Sequence, residues 1–138
     1  MFLPDAVCHI LANTRTIALV GASDKPSRES QRIGHYLIGQ GYDVYPVNPN
    51  HARVYGRACA ATLEELSITP DLVLCFRRCE DMPPIARSAI HLGAPALWMQ
   101  TGIVNEEVAD LAMASGMLVV MDRCIAVDHA AWQAAMIH

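Results

Sequence analysis

The apolar run Thr16-Ile17-Ala18-Leu19-Val20 breaks at Gly21 into the small and polar stretch Ala22-Ser23-Asp24-Lys25-Pro26. That combination suits phosphate binding: a glycine lets an oxyanion approach the backbone, Ala22 and Ser23 keep the wall low, and Lys25 brings a positive charge within reach. It is not a dinucleotide fingerprint, because only the first glycine of G-x-G-x-x-G is present. A NAD site also wants a carboxylate at the end of the second strand, where it accepts from the ribose hydroxyls. The chain has Asn48 there, and Asp43 opens that strand instead of closing it. Both departures point towards a nucleotide with a phosphorylated ribose or a long tail.

Other segments of the same character follow apolar runs: Val47-Asn48-Pro49, Phe76-Arg77-Arg78, Gln100-Thr101-Gly102 and Asp122-Arg123-Cys124. Each also has a plainer reading. Gly21 serves a tight turn, Lys25 is a solvated loop charge, and Asn48-Pro49-Asn50 is a turn. Arg77 and Arg78 pair with Glu80 and Asp81 as a surface cluster, with at most one arginine facing a crevice because neighbouring strand residues point in opposite directions.

For nucleophilic or metal chemistry the residues are thinly spread. Cys8, Cys59, Cys75, Cys79 and Cys124 form an odd set without C-x-x-C spacing. Cys75 and Cys79 have a spacing that some zinc sites use, but no second ligand pair lies nearby, so no metal is expected. His9, His35 and His91 fall on expected helices and His138 is terminal; Cys124 and His129 flank one loop at a strand end and are the pair in which an imidazole would activate a thiol.

The elements that must position these residues alternate along the chain. A helix is expected over residues 4–13 with Val7, Ile10 and Leu11 inward, then the first strand, then a helix capped by Ser30 and ended by Gly39 and Gly41. A second strand over 43–47 carries Pro46, which removes a ladder donor and implies a short, edge or bulged strand. Thr62-Leu63-Glu64-Glu65 fits a capping box for a short helix. The strand over 72–76 is apolar throughout, and Asp81 is expected to cap a helix with Pro83 and Pro84 in its first turn and Ile85, Ala89 and Leu92 inward. A strand over 96–100, a helix begun by Asn105 with Val108, Leu111 and Ala112 inward, a strand over 117–121 and a helix over 128–136 complete the series. This is an α/β pattern with a mainly parallel sheet, helices on both faces and right-handed crossovers, whose ligand would lie beyond the carboxyl ends of the strands.

The chain of 138 residues suits one domain over 1–138, and its net charge of −4 supplies no general attraction to nucleic acid, so any phosphate site must be local. No apolar stretch approaches the ~20 residues needed to span a bilayer. The cysteine usage and an N-terminus without a basic region read as cytoplasmic.

The segments Gly21-Ala22-Ser23-Asp24-Lys25-Pro26-Ser27-Arg28, Gly41-Tyr42, Pro46-Val47-Asn48-Pro49, Phe76-Arg77-Arg78, Trp98-Met99-Gln100-Thr101-Gly102-Ile103 with Asn105-Glu106, and Asp122-Arg123-Cys124 occur in this order over about residues 14–129. Together they resemble the small stand-alone CoA-binding proteins of the YccU-like type, which are similar to the N-terminal domain of the succinyl-CoA ligase alpha subunit. The resemblance implies a three-layer Rossmann-like domain that holds coenzyme A or an acyl-CoA. Its phosphates would lie at the loop of Gly21, Ala22, Ser23 and Lys25. Val47, Asn48, Pro49, Phe76 and Arg77 would flank the ADP portion, Arg77 or Arg28 would take the ribose phosphate, and the pantetheine arm would run towards Gln100 and Gly102. The ligases carry their phosphorylated histidine in a separate domain that a chain this short has no room for, so binding without catalysis is expected; the alternative is an NAD(P)-linked or acyl-CoA-handling enzyme. The chain departs from the family pattern at its last loop, where Ile125 and Asp128 replace a usual proline and glutamate.

Overall fold

A computed structural model describes residues 3–137. In chain order the elements are α1 (Asp5–Asn13), β1 (Thr16–Val20), α2 (Glu29–Gly39), β2 (Asp43–Val47), β3 (Arg53–Val54), β4 (Arg57–Ala58), β5 (Leu72–Cys75), α3 (Met82–Leu92), β6 (Ala96–Met99), α4 (Glu106–Ala114), β7 (Leu118–Val120) and α5 (Ile125–Met136), with single 3-10 turns at Leu63–Glu65 and Cys79–Asp81. The main sheet has the order β2-β1-β5-β6-β7 and every pairing in it is parallel.

Alternation along the strands feeds two separate cores. Ile17, Leu19, Leu72, Leu74 and Trp98 pack with Val7 and Ile10 of α1, Ile33 and Leu37 of α2 and Ile125 of α5. The intervening residues Ala18, Val20, Val73, Cys75, Leu97 and Met99 pack with Met82, Ala86 and Ala89 of α3 and Val108 and Ala112 of α4. The result is the expected three-layer, Rossmann-like α/β arrangement, and the strands are apolar throughout because both of their faces are covered. Trp98, fully buried, satisfies its indole N–H by donating to the carbonyl of Arg123 at 2.8 Å.

Pro46 sits on an edge strand, in register with Leu19. Its carbonyl points to the outer side and accepts from the Ala60 N–H at 3.1 Å, so its missing N–H also faces the edge, away from the main ladder. At the amino end of the strands, Asp71 ties the start of β5 to that of β1: its Oδ2 accepts from the backbone N–H groups of Arg15 at 2.9 Å and Thr16 at 3.1 Å. Burial works against its ionisation, yet these bonds hold its carboxyl below the usual range.

Several local expectations are corrected. α2 begins at Glu29 after Arg28, and Ser30 is buried in the first turn without capping it. Thr62 makes no side-chain cap, and the segment after it forms one 3-10 turn; Glu64, beside the expected capping partner Glu65, accepts from the Ser88 hydroxyl at 2.8 Å. Leu111 is exposed, with Ala109 taking its place inward on α4, and Ile85 and Leu92 are half-buried while Met82 and Ala86 line the inner face of α3. α5 starts at Ile125, a turn earlier than the pattern implies. Asn105 does cap α4, accepting from the Val108 N–H at 3.1 Å. The hairpin β3–β4 has no counterpart among the expectations. It turns at Tyr55 and Gly56, both with positive φ, and Tyr55 lies over Gly34 of α2, where a Cβ would overlap the ring. The Tyr55 hydroxyl donates to the carbonyl of Ser30 at 2.6 Å.

His129 belongs to the packing of α5. It is buried, its Nδ1 shares a 2.9 Å hydrogen bond with the Tyr36 hydroxyl, and the rings of Tyr36, Tyr42 and Trp132 surround it. Burial holds its pKa below the ordinary 6.5. The unfolded chain therefore takes up this proton first as the pH falls, so the contribution of the neutral ring is intact above 6.5 and is lost progressively below it. Urea unfolding followed from about pH 8 down to about pH 5 is expected to show stability falling more steeply in the native chain than in His129→Phe, whose stability in the same range lacks this component.

Candidate functional site

Strand order reverses between β1 and β5: from β1 the chain moves outward to β2, then returns to pair on the other side of β1. The loop leaving β1 runs to α2 on one face and the loop leaving β5 runs to α3 on the other, so a crevice opens where they part. Its floor is backbone. The Gly21 N–H donates to the Val47 carbonyl at 2.9 Å and the Phe76 N–H to the Val20 carbonyl at 2.8 Å. Gly21 has φ +91°, and a Cβ on it would stand 2.7 Å from the Phe76 carbonyl oxygen. Both conformation and space thus require glycine here.

The walls are held by short polar ties. Ala22 and Ser23 are buried, and the Ser23 hydroxyl accepts from the Lys25 N–H at 3.1 Å. Asn48 donates its amide to the Ala22 carbonyl at 2.8 Å and accepts from the Asn50 N–H at 2.8 Å, joining the tip of β2 to the loop after β1. Asn48 thereby serves both as the turn residue and as the brace between the two loops.

Two basins meet over Gly21, Asn48, Arg77 and Asp81. One, of about 420 Å³, has apolar walls from Val20, Val47, Pro49, Leu63 and Ile85, with the Glu64–Ser88 pair among its lining. The other, of about 730 Å³, is lined by Lys25, Arg28, His51, Phe76, Arg77 and Arg78, with Glu29 and Asp81 as its acidic members. His51 Nδ1 stands 3.3 Å from Asp24 Oδ1, which anchors the imidazole to the loop after β1. Apolar walls beside a cationic basin with backbone donors between them suit a ligand with a flat apolar portion joined to phosphates.

Of the residues singled out by sequence, Gly21, Ser23, Lys25, Arg28, Val47, Asn48, Pro49, Phe76 and Arg77 line these basins. Ala22 lies buried behind them. Arg77 and Arg78 both line the cationic basin, contrary to the expectation that at most one would, because β5 ends at Cys75 and the chain has left strand geometry by Phe76. Both are also paired with Asp81, as the surface reading had it.

Gln100 and Gly102 line neither basin. Gln100 is buried at the end of β6, where its Oε1 accepts from the Ile125 N–H at 2.8 Å and its Nε2 has no partner among the described residues. The Gly102 N–H donates to Asp122 Oδ1 at 2.7 Å. The departing residues of the last loop are structural: Ile125 is fully buried, and Asp128 receives the Arg123 guanidinium at 2.7 and 3.1 Å. His129 is enclosed by aromatic rings with its Nδ1 on the Tyr36 hydroxyl, and no hydrogen bond joins it to Cys124.

Leu63, Ser88, His51 and the carboxylate of Asp81 were not legible as site residues. Leu63 and Ser88 reach the crevice from the 3-10 turn and α3, which meet only in the folded chain. Among the described residues no group of three or more His, Cys, Asp or Glu side chains is arranged to hold a metal ion, and no helix is long and apolar enough to cross a membrane.

Comparison with known proteins agrees with this geometry. The pattern of the family described as a CoA binding domain matches residues 15–130. The chain is 38% identical over 122 residues to the uncharacterized protein YneT of Bacillus subtilis (strain 168), an alignment covering 88% of this chain and 90% of that one. A hypothetical protein from Pyrococcus horikoshii OT3 has the same structure with a TM-score of 0.90 at 32% identity, over 96% of this chain and 98% of that one. The fold, at 24% identity and a TM-score of 0.66, also recurs in an acetyl-coenzyme A synthetase from Ca. Korarchaeum cryptofilum, where 75% of this chain matches 25% of the larger one.

Substituting Gly21→Ala is expected to destabilise the protein by about 2 kcal/mol or more, since it adds both a disfavoured φ and a collision with backbone. Denaturant midpoints measure this directly, and an unchanged midpoint would mean that the loop relaxes without cost.

Proposed function

The chain belongs to the CoA-binding domain family, and we propose that its crevice holds coenzyme A, free or acylated, without performing chemistry on it unaided. The observation that carries this reading is the meeting of an apolar basin and a cationic basin over Gly21, at the point of strand-order reversal. The adenine would lie against Val47, Pro49, Leu63 and Ile85. The diphosphate would take backbone N–H groups of the loop from Gly21 to Lys25 together with the Lys25 ammonium. Arg77 or Arg28 would neutralise the ribose phosphate, Arg77 being the better placed because it lines both basins.

The pantetheine arm would leave across the strand ends towards Gln100 and Gly102. Gln100 itself lines neither basin, and its buried Nε2, without an acceptor among the described residues, would meet a pantetheine carbonyl only after the side chain or its cover moved. Cys124 stands at the N-cap position of α5 without a side-chain cap and lines neither basin, and His129 is committed to its aromatic neighbours. These facts support binding over nucleophilic catalysis.

The NAD(P) alternative is weakened by Asn48, whose amide is engaged with Ala22 and Asn50 at the position where a ribose-binding carboxylate would stand. Calorimetric titration of ligand-stripped protein with CoA, NAD and NADP separates the readings. Micromolar or tighter binding of CoA alone is expected, and Arg77→Gln should weaken it by about tenfold, the loss of one charge-assisted phosphate contact. Binding of NAD or NADP in preference to CoA would overturn the proposal.

A further inference from the structure

Asp81 stands at the N-cap position of α3, where a carboxylate ordinarily accepts an N–H from the second or third helical residue. Those residues are Pro83 and Pro84, which have no N–H to give. Asp81 accordingly makes no cap, correcting the sequence expectation, and its side chain turns to the crevice. There its Oδ2 lies 3.4 Å from Arg77 Nη2 and 3.4 Å from Arg78 Nε. Arg78 Nε also has Glu80 Oε1 at 3.3 Å.

These distances exceed the ~2.7–2.9 Å of a tight charge-assisted pair, and one oxygen is divided between two guanidinium groups. The Arg78 side chain is 76% exposed and that of Arg77 is 36% exposed, so water competes for both. Contacts of this kind restrain the arginines weakly. They offset part of the guanidinium charge all the same, with Arg77 at the junction shared by the two basins and Arg78 in the cationic one.

We propose that Asp81 is an internal counter-anion: it holds Arg77 and Arg78 at the mouth of the crevice and gives them up when a ligand phosphate arrives, so that its charge lowers the affinity for the ligand. A phosphate offers the arginines more oxygens than the single one of Asp81 and can be met bidentately, which favours the exchange. The carboxylate left behind then sits beside the bound anion and keeps it releasable. The inference rests on the reading of this crevice as a coenzyme A site, but its electrostatic content can be tested separately.

The experiment is calorimetric titration of the native chain, Asp81→Asn and Asp81→Ser with two probes, CoA and inorganic pyrophosphate, at low and high salt. Both variants are expected to bind CoA about three- to tenfold more tightly than the native chain, the range set by two partly exposed ion pairs. The gain should shrink as salt screens the charges. It should vanish when Arg77→Gln and Arg78→Gln are also present, because the effect acts through those cations. Unchanged or weaker binding in both Asp81 variants would overturn the inference and assign Asp81 to positioning the arginines. A gain that survives in the arginine-free background would also overturn it, as a general effect of net charge. If the native chain does not bind CoA, the reading of the site fails, and the pyrophosphate titrations still decide whether Asp81 competes for the arginines.

Discussion

The approach of Gly21 to the carbonyl of Phe76 is the constraint on which the crevice depends. β1 and β5 are adjacent parallel strands whose outgoing loops lead to opposite faces of the sheet, and the gap between the loops opens directly above this contact. A side chain at Gly21 would force the two strand tips apart and fill the floor. With hydrogen there, the peptide planes after β1 and β5 form a low backbone surface, braced from the β2 side by Asn48 and backed by strands buried on both faces. The positive φ at Gly21 turns the chain towards α2, so one residue supplies both the turn and the space.

Charge is distributed around that floor by topology. The chain as a whole is acidic, yet Lys25 and Arg28 from one loop and Arg77 and Arg78 from another gather in one basin because both loops leave the same end of the sheet. Cys75, at the very end of β5, is fully buried, and burial pushes its thiol pKa up so that it stays protonated and inert. Opposing the cations is Asp81, released from capping by the prolines that follow it. A helix start that cannot use its own N-cap carboxylate thus supplies the crevice with an anion.

The correct and incorrect local expectations separate along a physical line. Pro46 announced a short, edge or bulged strand, since a missing N–H is tolerable only where no neighbour needs it, and the sheet order makes it the edge. Asn105 was legible as a cap because its partner, the Val108 N–H, is local. Thr62 and Ser30 had equally plausible capping sequences and cap nothing with their side chains, while Asp81 is denied a cap by the prolines that follow it. Glu64 finds Ser88, a contact made possible by the docking of α3 against the turn at Leu63–Glu65, whereas Asp81 finds Arg77 four residues back in its own loop. His129 and Cys124 suggested a reactive pair by their spacing, but Tyr36 and Tyr42 arrive from α2 and the following turn to claim the imidazole.

By itself the sequence determined the alternation of apolar strands with helices, the parallel sheet that this entails, and the set of small, polar and cationic residues at the strand ends. These follow from hydrophobic periodicity, turn chemistry and the absence of donors at proline, all of which act over a few neighbouring residues. Only the tertiary structure decided which of those tips share a crevice and what their side chains do once there. Leu63, Ser88 and His51 joined it from distant segments, while Gln100 was drawn to the N-terminus of α5. The physical reason is that such placements depend on the order of strands in the sheet and on competition among polar groups for partners that packing, at long range along the chain, brings within hydrogen-bonding distance.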